Sequence, residues 1–103
     1  MKIVNTEEFN QIISNGITLV DFYADWCGPC KMLGPIIEDL DNEFPEIEFI
    51  KVNVDDNMDL ADKYGIMSIP AVFIFKDNQI ISSMLGYRDK SGVKAFIEQA
   101  INK

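Results

Sequence analysis

The chain has 103 residues, 48% of them hydrophobic, and carries 9 basic against 17 acidic side chains with no histidine, a formal net charge of −8. That length predicts one domain, residues 1–103, whose core hides about 60–70% of the surface an unfolded chain of this size exposes, and the apolar content excludes a disordered chain. The acidity serves solubility and argues against nucleic-acid binding through a basic patch, and no run approaches the roughly 18 apolar residues of a membrane helix.

Met1 to Glu8 holds only two apolar residues after Lys2 before polar residues resume. It therefore does not read as a leader, and a cytoplasmic location is expected. Ile3-Val4 is a weak first strand. Asn5 and Glu8 have the spacing of a capping box, opening a helix with Phe9, Ile12 and Ile13 on one face and Gly16 just past its end. Thr18 to Ala24 is apolar on both alternating faces apart from Asp21, the pattern of a central strand covered on both sides.

A second helix is predicted from Pro29 or Cys30 to about Phe44, with Leu33, Ile36, Ile37, Leu40 and Phe44 forming a stripe and Pro35 introducing a kink. Glu48 to Val54 reads as a strand and Met58 to Tyr64 as a short helix stopped by Gly65. Ala71 to Phe75 and Gln79 to Leu85 flank Lys76-Asp77-Asn78, a hairpin signal. Asp89 caps a last helix in which Val93, Phe96, Ile97, Ala100 and Ile101 recur at helical spacing. The order βαβαβα, then hairpin, then helix predicts an α/β fold: a mixed central sheet, parallel in its first part, with helices on both faces.

Trp26-Cys27-Gly28-Pro29-Cys30 holds the chain's two cysteines. Residues three apart on a helical turn lie within the roughly 4.4–6.8 Å Cα separation of a disulfide, so the pair can open and close without large backbone movement. In a reducing compartment such a pair reads as catalytic or metal-binding rather than structural. Two soft ligands without histidine fall short of the four a structural zinc prefers, so no metal is expected.

The site falls at a strand's carboxyl end and a helix's N-terminus, where unpaired N–H groups and the helix dipole favour a Cys27 thiolate. Lowering a thiol pKa from ~8.5 to ~7 raises its thiolate fraction at neutral pH from about 3% to about half. Gly28 permits close backbone approach to a substrate, and Pro29 has no N–H to leave unpaired in the first turn. Cys30, one turn further in, is expected to be the less exposed and to attack a mixed disulfide formed on Cys27.

Asp21 is the candidate proton acceptor for Cys30, because burial in an apolar strand raises a carboxyl pKa toward neutrality. Lys51, on the neighbouring strand pattern, offsets that shift as a nearby cation. The alternatives are a structural Asp21–Lys51 ion pair or an Asp21 facing solvent. Trp26 is either core or an aromatic platform for a partner chain.

At Trp-Cys-Gly-Pro-Cys-Lys the chain resembles the thioredoxin family. Val20-Asp21-Phe22, Ala24, Trp26 to Met32, Pro35, Lys51 to Asp55, Tyr64-Gly65-Ile66, Ile69-Pro70 and Gly86 follow the family's order and spacing over nearly the whole chain. The resemblance implies a thioredoxin fold and a protein-disulfide reductase, with Cys27 attacking, Cys30 resolving and Asp21 as buried acid/base. It implies a cis Pro70, Ile69 offering backbone hydrogen bonds to a bound peptide, and an apolar docking patch of Trp26, Ile69, Pro70 and Gly86.

It also implies a monomer with no bound cofactor, acting on disulfide-containing proteins and re-reduced by a flavoprotein thioredoxin reductase using FAD and NADPH. Tyr23 stands where many members have tryptophan, and Ala71 follows the proline where threonine is frequent. Two further readings are a disulfide oxidant or isomerase on the same fold and a redox-independent binding subunit.

Overall fold

The computed structural model describes residues 1–102; Lys103, which the sequence reading places at the end of its one domain, lies outside the described residues. The chain runs β1 (Lys2–Ile3), α1 (Thr6–Ile13), β2 (Ile17–Tyr23), α2 (Gly28–Asp41), β3 (Ile47–Asn53), α3 (Met58–Lys63), β4 (Ala71–Lys76), β5 (Gln79–Leu85) and α4 (Lys90–Ile101). The strands form one sheet in the order β1-β3-β2-β4-β5. β3 is parallel to both β1 and β2, while β4 is antiparallel to β2 and β5 to β4. This is the mixed sheet that the element order predicts.

Alternation along β2 divides the core between the two faces. Leu19 packs with Leu33, Ile37 and Leu40 of α2 and Val93, Phe96 and Ile97 of α4. Val20 and Phe22 pack on the opposite side with Phe9 and Ile13 of α1 and Leu60 of α3. Phe9 belongs to an aromatic cluster in that second layer, with its ring centroid 5.6 Å from Phe75, 5.7 Å from Tyr64 and 6.2 Å from Phe22. Helices on both faces leave β2 buried along its middle, which is why its sequence is apolar at successive positions.

Local chemistry sets the element ends. Asn5 Oδ1 accepts from the Glu8 N–H at 2.9 Å and Glu8 Oε1 accepts from the Asn5 N–H at 3.2 Å, closing the expected capping box. Asp89 Oδ1 caps α4 by accepting from the Gly92 N–H at 2.9 Å. The second helix begins at Gly28, runs through Pro35 and ends at Asp41, short of the expected Phe44. Pro45 follows Phe44 in the chain, and the residue before a proline is disfavoured in the helical region.

The other differences are of one or two residues. Val4, Ala24 and Val54 fall just outside their strands, yet the Val4 N–H still donates to the Lys51 carbonyl and the Val54 N–H to the Tyr23 carbonyl, both at 2.9 Å. Tyr64 is the cap of α3 rather than its last residue. The hairpin loop is Asp77-Asn78 alone, with φ of 47° and 74°. Two consecutive positive φ values match the twist of antiparallel strands, and Lys76 stays in β4. Asp77 Oδ1 accepts from the Gly16 N–H at 2.8 Å, tying this turn to the start of β2.

Candidate active site

The two cysteines owe their position to the junction between β2 and α2. Beyond Tyr23 the Cys27 N–H donates back to the Ala24 carbonyl at 3.2 Å, closing a tight turn. Cys27 then takes the N-cap position of α2 with extended backbone angles, φ −89° and ψ 109°. Its Sγ does what a serine or aspartate oxygen does at other helix starts: it accepts from the Cys30 backbone N–H, at 3.2 Å. Pro29 lies in the first turn, where no intrahelical partner for an N–H exists.

Cys27 and Cys30 form a disulfide, with Cα atoms 5.3 Å apart. Cys27 Sγ also lies 3.8 Å from the carbonyl oxygen of Ile69, the residue before the cis Ile69-Pro70 bond. One expectation is corrected here. Cys30 is not the more sheltered of the pair, since Cys27 is 4% exposed and Cys30 5%. Both pack with Ala24, Tyr23, Val54 and Ile69, so the proline loop covers the outer sulfur as the helix covers the inner one. Gly28 and Pro29 are exposed beside them.

Asp21, in the middle of β2, is 1% exposed, and neither of its oxygens accepts a hydrogen bond from a protein group. Burial pushes its pKa up from 3.8 to about 6; Lys51 pulls it down and Glu38 pushes it up by smaller amounts. The register sets Asp21 directly opposite Lys51. Even so, no Asp21–Lys51 ion pair forms among the described residues, and Asp21 does not face solvent. The Lys51 ammonium instead lies over the Tyr23 ring, 4.4 Å from its centroid.

Trp26 is 71% exposed, which places it on the surface rather than in the core. Its indole N–H donates to Asp55 Oδ2 at 2.8 Å. Gly86, at φ 80°, donates its N–H to the Pro70 carbonyl at 2.8 Å and so joins the end of β5 to the proline loop. Ile69 packs with both cysteines, Pro70 follows it in the chain and is held by Gly86, and Trp26 directly precedes Cys27.

Sequence reasoning missed a cavity of about 230 Å³ between Trp26 and α3, lined also by Asp55, Met58, Asp62, Ile66 and Met67. Met67 is 98% exposed. Its only sequence signal was an apolar residue in the loop before Ile69-Pro70. Asp55 lay within the quoted Lys51 to Asp55 segment, but its bond to Trp26 depends on two loops meeting.

A disulfide at a helix N-terminus, set against an X-cis-Pro loop on a mixed sheet, defines a dithiol–disulfide redox protein. The thioredoxin family model matches residues 1–99. The chain is 42% identical over 99 residues to a thioredoxin of Chlamydia caviae, covering 96% of this chain and 97% of that one. It is 37% identical over 94 residues to a thioredoxin of Bacillus subtilis, covering 90% of each. Among solved structures, a Plasmodium falciparum thioredoxin superposes with a TM-score of 0.91 at 38% identity, covering 96% of this chain and 98% of that one. A Fasciola hepatica thioredoxin gives 0.89 at 32% identity, covering 97% and 99%. The chain belongs to the thioredoxin family and has its fold.

Proposed function

We propose that this protein is a general protein-disulfide reductase in which Cys27 attacks and Cys30 resolves. The observation that carries the reading is the Cys30 N–H aimed at Cys27 Sγ at the start of α2. An amide donor and a helix N-terminus both favour negative charge on that sulfur. In the reduced protein the Cys27 thiolate attacks one sulfur of a substrate disulfide, forming a mixed disulfide and expelling the other substrate sulfur as a thiolate, which takes up a proton. Cys30 then loses its proton and attacks Cys27 Sγ. This closes the Cys27–Cys30 disulfide and releases the second substrate thiol.

Asp21 is the acceptor for the Cys30 proton. A carboxyl titrating near 6 is still mostly ionised at neutral pH yet basic enough to take a proton. Lys51 tunes it. Gly28 and Pro29 shape the approach to Cys27. Trp26, Ile69, Pro70 and Gly86 form the docking surface, and the Ile69 carbonyl, 3.8 Å from Cys27 Sγ, accepts from a substrate backbone N–H. The chain needs no bound cofactor for these steps. Two electrons return the disulfide to the dithiol, supplied by a thioredoxin reductase whose FAD and NADPH carry them. Action as a cytoplasmic monomer on disulfide-containing proteins completes the proposal; no helix among the described residues is long and apolar enough to cross a membrane.

Insulin reduction tests it. Cys27→Ser abolishes turnover, whereas Cys30→Ser accumulates a covalent complex with substrate. Free turnover by Cys30→Ser refutes the assigned order. Asp21→Asn slows the resolving step around neutral pH, and unchanged rates from about pH 6 to 9 leave Asp21 without a catalytic part. A double Cys27→Ser, Cys30→Ser variant that keeps full biological activity makes the protein a binding scaffold. Equilibration with glutathione separates a reductase from an oxidant or isomerase.

A further inference from the structure

The Asp21–Lys51 pairing poses a physical question. Neighbouring strands lie about 4.7–4.9 Å apart, so residues in register on one face are adjacent, and a buried carboxylate without a partner is costly. An ammonium on that neighbour is expected to close onto it. Instead the Lys51 ammonium lies over the Tyr23 ring, and both Asp21 oxygens remain without a partner.

The ring beneath the cation is placed by the strand. Tyr23 follows Asp21 by two residues in β2, so its ring emerges on the same face. Above, α2 passes with Gly34, where a Cβ would stand 3.8 Å from Lys51 Nζ. A carbon at that distance is in ordinary van der Waals contact, so α2 borders the ammonium without setting its place. The ring's negative π face attracts a cation, and the phenol stays neutral: burial raises its pKa, with Asp25, Asp21 and Asp56 adding to the rise and Asn53 opposing it.

We propose that Tyr23 is a positioning residue whose ring seats the Lys51 ammonium away from the Asp21 carboxyl, leaving Asp21 free of an ion pair and able to exchange a proton. The inference rests on Asp21 serving as the acid/base, but it concerns where the cation sits and is read without any disulfide exchange. The charged groups acting on Asp21 are Lys51 from β3 and Glu38 from α2; β4 presents Val72 opposite it, which is apolar. Among the described residues Lys51 is therefore the one cation able to convert Asp21 into a permanently ionised group. An opposite charge brought within about 4–6 Å lowers a carboxyl pKa by roughly 1–3 units.

The test is an NMR titration of the Asp21 side-chain carboxyl carbon in the oxidised full chain. Tyr23→Leu removes the ring, Lys51 closes on Asp21, and the midpoint falls by about one pH unit or more. Tyr23→Phe keeps the ring and holds the native midpoint. In a Lys51→Met background Tyr23→Leu moves the midpoint no further. An unchanged midpoint in Tyr23→Leu overturns the proposal, as does a full shift that persists without Lys51. Should Tyr23→Leu fail to fold, the native protein decides: the Lys51 ε-methylene protons are shifted upfield by the ring current, and ordinary lysine shifts there refute the seat. Failure of these readings leaves the reductase assignment standing. A Cys30→Ser protein that turns over freely leaves the seat standing.

Discussion

Replacing Asp21 by asparagine removes the most costly ionisable group in the core and gives a stability effect whose pH dependence is fixed in advance. The carboxyl titrates at 3.8 in its unperturbed state and at about 6 when folded, chiefly because of burial. Between those values the folded state holds a proton that the unfolded chain has released. Stability conferred on the native state therefore falls as pH rises through that window. At roughly 1.4 kcal/mol per pH unit the loss reaches about 3 kcal/mol above the folded midpoint. Below about pH 3.8 both states are protonated and Asp21 costs nothing relative to asparagine.

Asparagine is neutral throughout and close in shape. The oxidised Asp21→Asn protein is thus expected to match the parent at about pH 3.5, to exceed it by an intermediate amount at about pH 5, and to exceed it by about 3 kcal/mol at about pH 7.5. For a domain of this size that is a rise in Tm on the order of 10 °C. Urea unfolding followed by circular dichroism at each pH measures it. A stability difference that is the same at all three pH values refutes ionisation as the cause and points to packing or hydrogen bonding of the new amide.

Phe9→Ala removes a fully buried ring from the aromatic layer formed with Phe22, Tyr64 and Phe75 and is expected to cost about 3–5 kcal/mol in urea unfolding; a loss below about 1 kcal/mol means the layer collapses to fill the space. Gly86→Val places a β-branched residue at φ 80°, costing about 1–2 kcal/mol. Because the Gly86 N–H holds the Pro70 carbonyl, the same change raises KM for a peptide disulfide more than it lowers kcat. Parent-like stability and KM together would show that the loop adapts without strain.

The sequence by itself determined the local events. Apolar positions at helical spacing, the Asn5–Glu8 box, the Asp89 cap and the β2 run, apolar on both faces apart from Asp21, each act over a few residues, and each formed as read. The Cys27–Cys30 spacing likewise fixed a closable disulfide, because three residues around a helical turn set that distance whatever surrounds them. Helix α2 escaped the reading at its far end, where Pro45 acts one residue beyond the apolar stripe. Only the tertiary structure decided what depends on elements distant in sequence. The Ile69 loop and α2 meet over the sulfurs and bury both alike. Asp55 reaches the Trp26 indole across 29 positions. Asp21 and Lys51 come opposite each other by strand register, yet the ammonium lies over a ring on β2 rather than on the carboxyl. Pairing across a sheet and the choice a mobile cation makes between a carboxylate and an aromatic face follow from packing. That packing is written in no single stretch of the chain.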